Sequence, residues 1–269
     1  MFESIIRFWG IRNIFGPQIF SAFMGFFASK KVPKWILNPV LKKYVKHYHI
    51  DMNQFERKIG DFDSFIDFFT RKLKPNVRQF QGKLLSPADS IVTKFGKVSS
   101  DLVVEVKGTG CKLSAFLKKI LNINFKSFAI FYLSPADYHR FHAPFDMQIE
   151  KIIYIPGDLY SVKPKNVDKY DTLFCDNRKV VLYGNSEFGN FAMVLVGALV
   201  VGKIVLNFGK KNVTKSIDEE HISINFKKGD ELGSFELGST VIILTETDIL
   251  DKINISKGEH VLVGQNLLT

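Results

Sequence analysis

Between residues 34 and 47 apolar side chains fall three or four positions apart, at Ile36, Leu37, Val40, Leu41, Tyr44 and Val45. That is the spacing of one helix face, and Pro33 stands just ahead of it. Residues 62–73 repeat the pattern, with Asp61 or Asp63 as N-cap and Pro75 beyond the end. Residues 1–80 thus read as helical. From about residue 82 the texture changes to short β-branched or aromatic runs between Gly, Pro and Asp turns. Strands are predicted over 91–95, 102–106, 128–133, 149–155, 179–183, 191–206, 222–226, 241–244 and 260–262, with one helix at 113–121. The run 191–202 has no polar side chain, yet it is too short to cross a bilayer and is split by Gly197, so it predicts buried strands. The fold class expected is α+β, mainly β. N-terminal helices over 1–80 precede a β-sandwich or barrel-sandwich-hybrid-like core over 81–269.

A chain of 269 residues with 46% hydrophobic and 24% charged residues is globular rather than disordered. Two cysteines, Cys111 and Cys175, make neither a disulfide framework nor a metal pattern and read as ordinary thiols. The net charge of +10 is unevenly spread: residues 1–48 hold eight Lys or Arg against one acid, Glu3. The same stretch carries Phe8, Trp9, Phe15, Phe20, Phe23, Phe26, Phe27 and Trp35. Cations among bulky rings suit an anionic lipid surface, so this region is expected to associate with membranes. It is not expected to span one. Gly16-Pro17-Gln18 interrupts the uncharged stretch, and the apolar remainder, 19–28, would reach roughly 15 Å as a helix, half the hydrocarbon core. No secretion signal and no nucleic-acid-binding motif is present.

Three sites carry candidate chemistry: Ser86-Pro87-Ala88-Asp89, Tyr138-His139-Arg140-Phe141-His142-Ala143-Pro144, and Leu237-Gly238-Ser239-Thr240. A serine hydroxyl needs a base to attack near neutral pH, and a carboxylate fixes the tautomer of a histidine base. Asp89, His142 or His139, and Ser239 supply those parts if their strands meet. Gly238 before the serine allows the bend that brings a side chain onto its own preceding carbonyl. The two histidines lie three apart without a third ligand, so no metal site is read. Leu85-Ser86-Pro87-Ala88-Asp89 echoes at Leu133-Ser134-Pro135-Ala136-Asp137, and Lys228-Gly229-Asp230 echoes at Lys257-Gly258-Glu259.

These motifs, with Pro156-Gly157-Asp158-Leu159-Tyr160-Ser161-Val162, Val196-Gly197-Ala198 and Val201-Gly202 between them, make the chain resemble phosphatidylserine decarboxylases of the bacterial and mitochondrial type. The resemblance covers roughly residues 80–269. It implies a proenzyme that cuts itself between Gly238 and Ser239 into a β chain, 1–238, and an α chain, 239–269. Asp89, His142 and Ser239 match the family's processing triad, and His139 matches the histidine of the decarboxylation step. Ser239 would become a pyruvoyl cofactor that decarboxylates phosphatidylserine to phosphatidylethanolamine. The partners implied are phosphatidylserine in the bilayer, an anionic lipid surface, the two chains of one precursor and a second copy in a homodimer. The implied location is peripheral, on the cytoplasmic face of a bacterial cell membrane. Two departures stand out: Ser90 replaces the family's usual Gly after Ser-Pro-Ala-Asp, and Asn177-Arg178 lacks the Glu of the family's Asn-Glu-Arg segment. The alternatives are a pyruvoyl decarboxylase of a soluble amino acid and a non-cleaving phospholipid-binding protein of the membrane surface.

Overall fold

The computed structural model describes residues 28–98, 102–106, 109–112, 117, 124–158, 176–197, 203–209 and 216–269. The readings made for residues 1–27, for Cys175, for Val201-Gly202 and for nearly all of the helix at 113–121 lie outside the described residues.

Among the described residues, α1 (Lys34–Tyr48) and α2 (Phe65–Phe69) lead into the sheets. Helix α1 buries Leu37, Leu41 and Tyr44, one stripe at helical spacing, and stops at His49 in the left-handed conformation. Helix α2 is shorter than the apolar pattern suggested, and its N-cap is neither Asp61 nor Asp63. The Ser64 hydroxyl accepts from Asp67 N at 3.1 Å, while the Asp67 carboxylate takes Asp63 N and the Arg57 guanidinium. It ends at Thr70, and just beyond it the Arg71 side chain reaches the carbonyls of Ala136 and Asp137.

The β region comprises β1 (Ser90–Lys97), β2 (Leu102–Val106), β3 (Thr109–Lys112), β4 (Ser127–Leu133), β5 (Arg140–His142), β6 (Met147–Ile155) and β7 (Lys179–Ser186). It continues with β8 (Gly189–Gly197), β9 (Lys203–Leu206), β10 (Asp218–Phe226), β11 (Glu231–Glu236), β12 (Ser239–Thr245) and β13 (His260–Val261). Eight strands form one antiparallel sheet in the order β10-β6-β7-β8-β12-β4-β1-β13, and β5-β11-β9 form a second. The chain is α+β and mainly β, as the pattern indicated. The apolar run at 191–206 is two strands in different sheets, β8 and β9.

Side-chain alternation divides the large sheet into two faces. Ala129, Phe131, Leu133, Met193, Leu195, Val241 and Ile243 pack with Phe141, Ile204, Leu206, Leu232 and Phe235 of the small sheet. Phe128, Ile130, Tyr132, Val194, Val196, Ile242 and Leu244 form a separate cluster on the opposite face. The small sheet therefore lies over one face only, and the two make a sandwich. Strand β11 fits between its neighbours because Gly233 has no side chain; a Cβ there would lie 2.1 Å from Val205 O. A third cluster, Leu37, Leu41, Phe62, Phe65, Phe68 and Phe69, joins the helices to Leu237.

Candidate active site

The link between β11 and β12 is two residues long, and both have positive φ: Leu237 at 70° and Gly238 at 59°. Glycine adopts this conformation freely, whereas for leucine it stores strain of roughly 1–3 kcal/mol. The link moves the chain from the small sheet to the centre of the large one, since β11 pairs with β5 and β9 while β12 pairs with β4 and β8. Buried Leu237 anchors it in the helical layer.

Ser239 opens β12 opposite Leu133 on one side and Gly197 on the other. By parity with Val241 and Ile243 its side chain lies on the face toward the small sheet. It is fully buried, and its Oγ has no hydrogen-bond partner.

The loop that follows Leu133 carries His139. Phe235 N donates to His139 O at 2.8 Å, so the loop leaves opposite Ser239 and returns beside β11, four residues before Ser239. His139 Nδ1 donates to Asp137 O at 2.9 Å, which leaves Nε2 as the bare nitrogen, buried and without a partner. Burial beneath Phe69 pushes the pKa of His139 down to about 4 despite the pull of Asp137, so the ring is neutral at pH 7.

His142 and Asp89 occupy a second neighbourhood. His142 N donates to Pro87 O at 2.8 Å. Its Nδ1 donates to Gly229 O at 2.8 Å, and its Nε2 accepts from the Tyr138 hydroxyl at 3.0 Å. Burial lowers its pKa. Asp89 accepts from Arg78 Nη2 at 3.0 Å and from Val263 N at 2.7 Å. Burial raises the pKa of Asp89 and Arg78 opposes that rise. Asp89 and His142 are thus neighbours without a direct hydrogen bond, and neither is bonded to Ser239. Ser90, in place of glycine, turns its hydroxyl back onto Ala88 O at 3.2 Å.

Several residues of this site carried no signal as single residues. Arg71, nearly fully buried, donates to Asp137 O, the same carbonyl that His139 uses. Tyr44 donates to Pro135 O at 2.6 Å, and Arg140 Nε donates to Thr70 O at 2.8 Å. Asp137 accepts from Ser134 N and pairs with His260 at 2.8 Å. The two Ser-Pro-Ala-Asp echoes acquire a common meaning here: each ends in a buried aspartate that holds the segment 260–263. Among the described residues no group of three or more His, Cys, Asp or Glu could hold a metal ion, and no helix is long and apolar enough to cross a membrane.

Residues 65–269 match the family model described as phosphatidylserine decarboxylase. Among similar proteins is a phosphatidylserine decarboxylase proenzyme of Francisella tularensis subsp. novicida, 38% identical over 224 residues, which cover 79% of each chain. Another is the phosphatidylserine decarboxylase proenzyme of Francisella philomiragia, 36% identical over 247 residues, covering 87% of this chain and 88% of that one.

Proposed function

The chain belongs to the phosphatidylserine decarboxylase family, and from that premise we propose that it converts phosphatidylserine to phosphatidylethanolamine with a pyruvoyl group made from its own Ser239. The observation that carries this reading is the buried, unpartnered Ser239 hydroxyl directly after two left-handed residues. A pyruvoyl group has a carbonyl and a methyl where serine has an amine and a hydroxymethyl. It is no larger than serine, and it needs no donor at the position where Oγ has none.

In the proposed self-cleavage Ser239 Oγ attacks the Gly238 carbonyl carbon. The amide C–N bond breaks, the ester C–O bond forms, and the hydroxyl proton passes to the freed amine. Elimination removes the Ser239 Cα proton and expels the Gly238 carboxylate. Water then replaces nitrogen in the remaining dehydroalanine, with loss of ammonia. The β chain is 1–238 and the α chain 239–269. Asp89 and His142 handle the protons of these steps, with the Tyr138 hydroxyl bound to His142 Nε2 until it is displaced or relays the proton. When present, the pyruvoyl carbonyl supplies an electron sink for loss of carbon dioxide. His139 offers the bare Nε2 as the nitrogen that takes up and passes on a proton at that step, since Asp137 O occupies its other nitrogen.

The membrane surface is part of the same proposal. Trp35, Ile36 and Val40 are exposed on the outer side of α1, among exposed Lys42, Lys43 and Lys46. Rings and aliphatic groups beside cations suit an anionic leaflet, which is where the substrate resides. The exposed face of α1 supports a peripheral protein, and the proposal puts it on the cytoplasmic face of the membrane. The homodimer belongs to this reading too, and sedimentation reads it out.

The test is carbon dioxide release from vesicles of phosphatidylserine labelled at the headgroup carboxyl. Wild type is expected to release label; Ser239→Ala, Asp89→Asn and His142→Ala are expected to stay uncut and silent. His139→Ala is expected to cut yet decarboxylate poorly. Release of label by uncut Ser239→Ala contradicts the reading. Blocked cleavage in His139→Ala with normal cleavage in His142→Ala exchanges the two histidine roles.

A further inference from the structure

The Asp89 carboxylate is gripped at both oxygens. Oδ2 takes Arg78 Nη2 at 3.0 Å, and Oδ1 takes Val263 N at 2.7 Å. Both side chains of the ion pair are buried, at 10% exposure for Arg78 and 8% for Asp89. Arg78 lies outside any helix or strand, twelve residues ahead of β1, and its Nε has no partner. The charges and titratable groups that sense Asp89 are Arg78, Asp137, Arg71, His142, Tyr138 and His260. Of these, Arg78 alone is bonded to the carboxylate.

We propose that Arg78 is a positioning residue for self-cleavage, holding Asp89 as an ionised carboxylate in a fixed orientation beside His142. The proposal rests on the reading of Asp89 as a member of the processing set. Without Arg78 the carboxylate keeps one neutral donor, Val263 N–H, in a buried site that already contains Asp137. Burial and a like charge both favour the protonated form, and a protonated Asp89 cannot stabilise an imidazolium at His142. Arginine suits this place because its planar fork fixes direction as well as charge.

The experiment follows the rate at which full-length chain yields the 238-residue β chain, from pH 5 to 9, on denaturing gels. It uses the whole chain as wild type, Arg78→Gln, Arg78→Lys and Asp89→Asn. The acid limb of Arg78→Gln is expected to lie about 1–3 pH units above wild type, with cleavage recovered in alkali. Arg78→Lys is expected to fall between the two, since an ammonium keeps the charge and loses the fork. Recovery in alkali separates this effect from misfolding, which would abolish cleavage at every pH. An Arg78→Gln limb that coincides with wild type overturns the proposal. So does an Arg78→Gln variant that unfolds cooperatively and cuts at no pH. If Arg78→Gln does not fold, Arg78→Lys decides, and a limb identical to wild type overturns the proposal. Normal cleavage by Asp89→Asn instead removes the underlying role of Asp89, a different failure from that of Arg78.

Discussion

The ring of Phe69 lies 3.9 Å from the imidazole of His139, centroid to centroid, at an interplanar angle of 42°. The last residue of α2 is therefore a wall of the site, and the helical layer helps set the environment of its chemistry. Phe69 is almost fully buried. In the uncut Ser239→Ala chain, Phe69→Ala is expected to lower unfolding stability by about 3–5 kcal/mol in urea titrations. Phe69→Leu should recover most of that. A loss near zero would contradict the packing described.

Acid should expose the buried His139. Its folded pKa is about 4, against about 6.5 when unfolded. Between those values the unfolded chain binds a proton that the folded chain refuses, so this residue contributes a loss of stability as pH falls from about 6.5 to 4. Above pH 6.5 it contributes no pH dependence. The full difference is about 3 kcal/mol. His260 has the opposite sign, because its hydrogen bond to Asp137 raises its pKa; its stabilisation is full below about 6.5 and fades as pH rises through the raised value. Unfolding free energies of uncut Ser239→Ala with and without His139→Asn should differ in slope across that acid window. Parallel curves would contradict a buried neutral imidazole.

The unpartnered Ser239 hydroxyl should also appear as instability. Removing a buried polar group that has no partner is expected to stabilise the fold by about 1–2 kcal/mol. Comparing Asp89→Asn with Asp89→Asn/Ser239→Ala, both uncut, isolates the term. A destabilised double variant would mean that Oγ is hydrogen-bonded.

Lipid binding through α1 makes a separable claim. Trp35 is 78% exposed, and Ile36 and Val40 share the outer face of α1. Trp35→Ser with Val40→Ser is expected to weaken binding to phosphatidylserine vesicles about tenfold or more, at the usual value of a buried apolar side chain. Binding that remains should weaken as salt rises, because Lys42, Lys43 and Lys46 act through screened charge. Unchanged sedimentation with vesicles would place the lipid contact elsewhere.

Sequence periodicity revealed α1 and the long strands of the large sheet because their apolar positions repeat regularly. It missed β5, which has three residues, and β11, where Gly233 and Ser234 dilute the apolar signal. Helix α2 came out too long because Phe68, Phe69 and Leu73 continue a helical spacing past Thr70, where the helix ends. Ser239 and the two histidines, which the proposed function uses, stand out in the sequence by their chemistry and motifs. Arg78, Arg71 and Phe69 were not, since what each contributes depends on contacts 11 to 70 residues away. The short echo ending at Asp137 was visible, but its partner His260 lies 123 residues on.

The central claim is that Ser239 becomes the reactive group, and the intact mass of the purified protein tests it most directly. Two chains are expected, with the piece 239–269 lighter by about 17 Da than the same peptide carrying an N-terminal serine, as a pyruvoyl end requires. A single full-length mass in protein that still decarboxylates phosphatidylserine would contradict it.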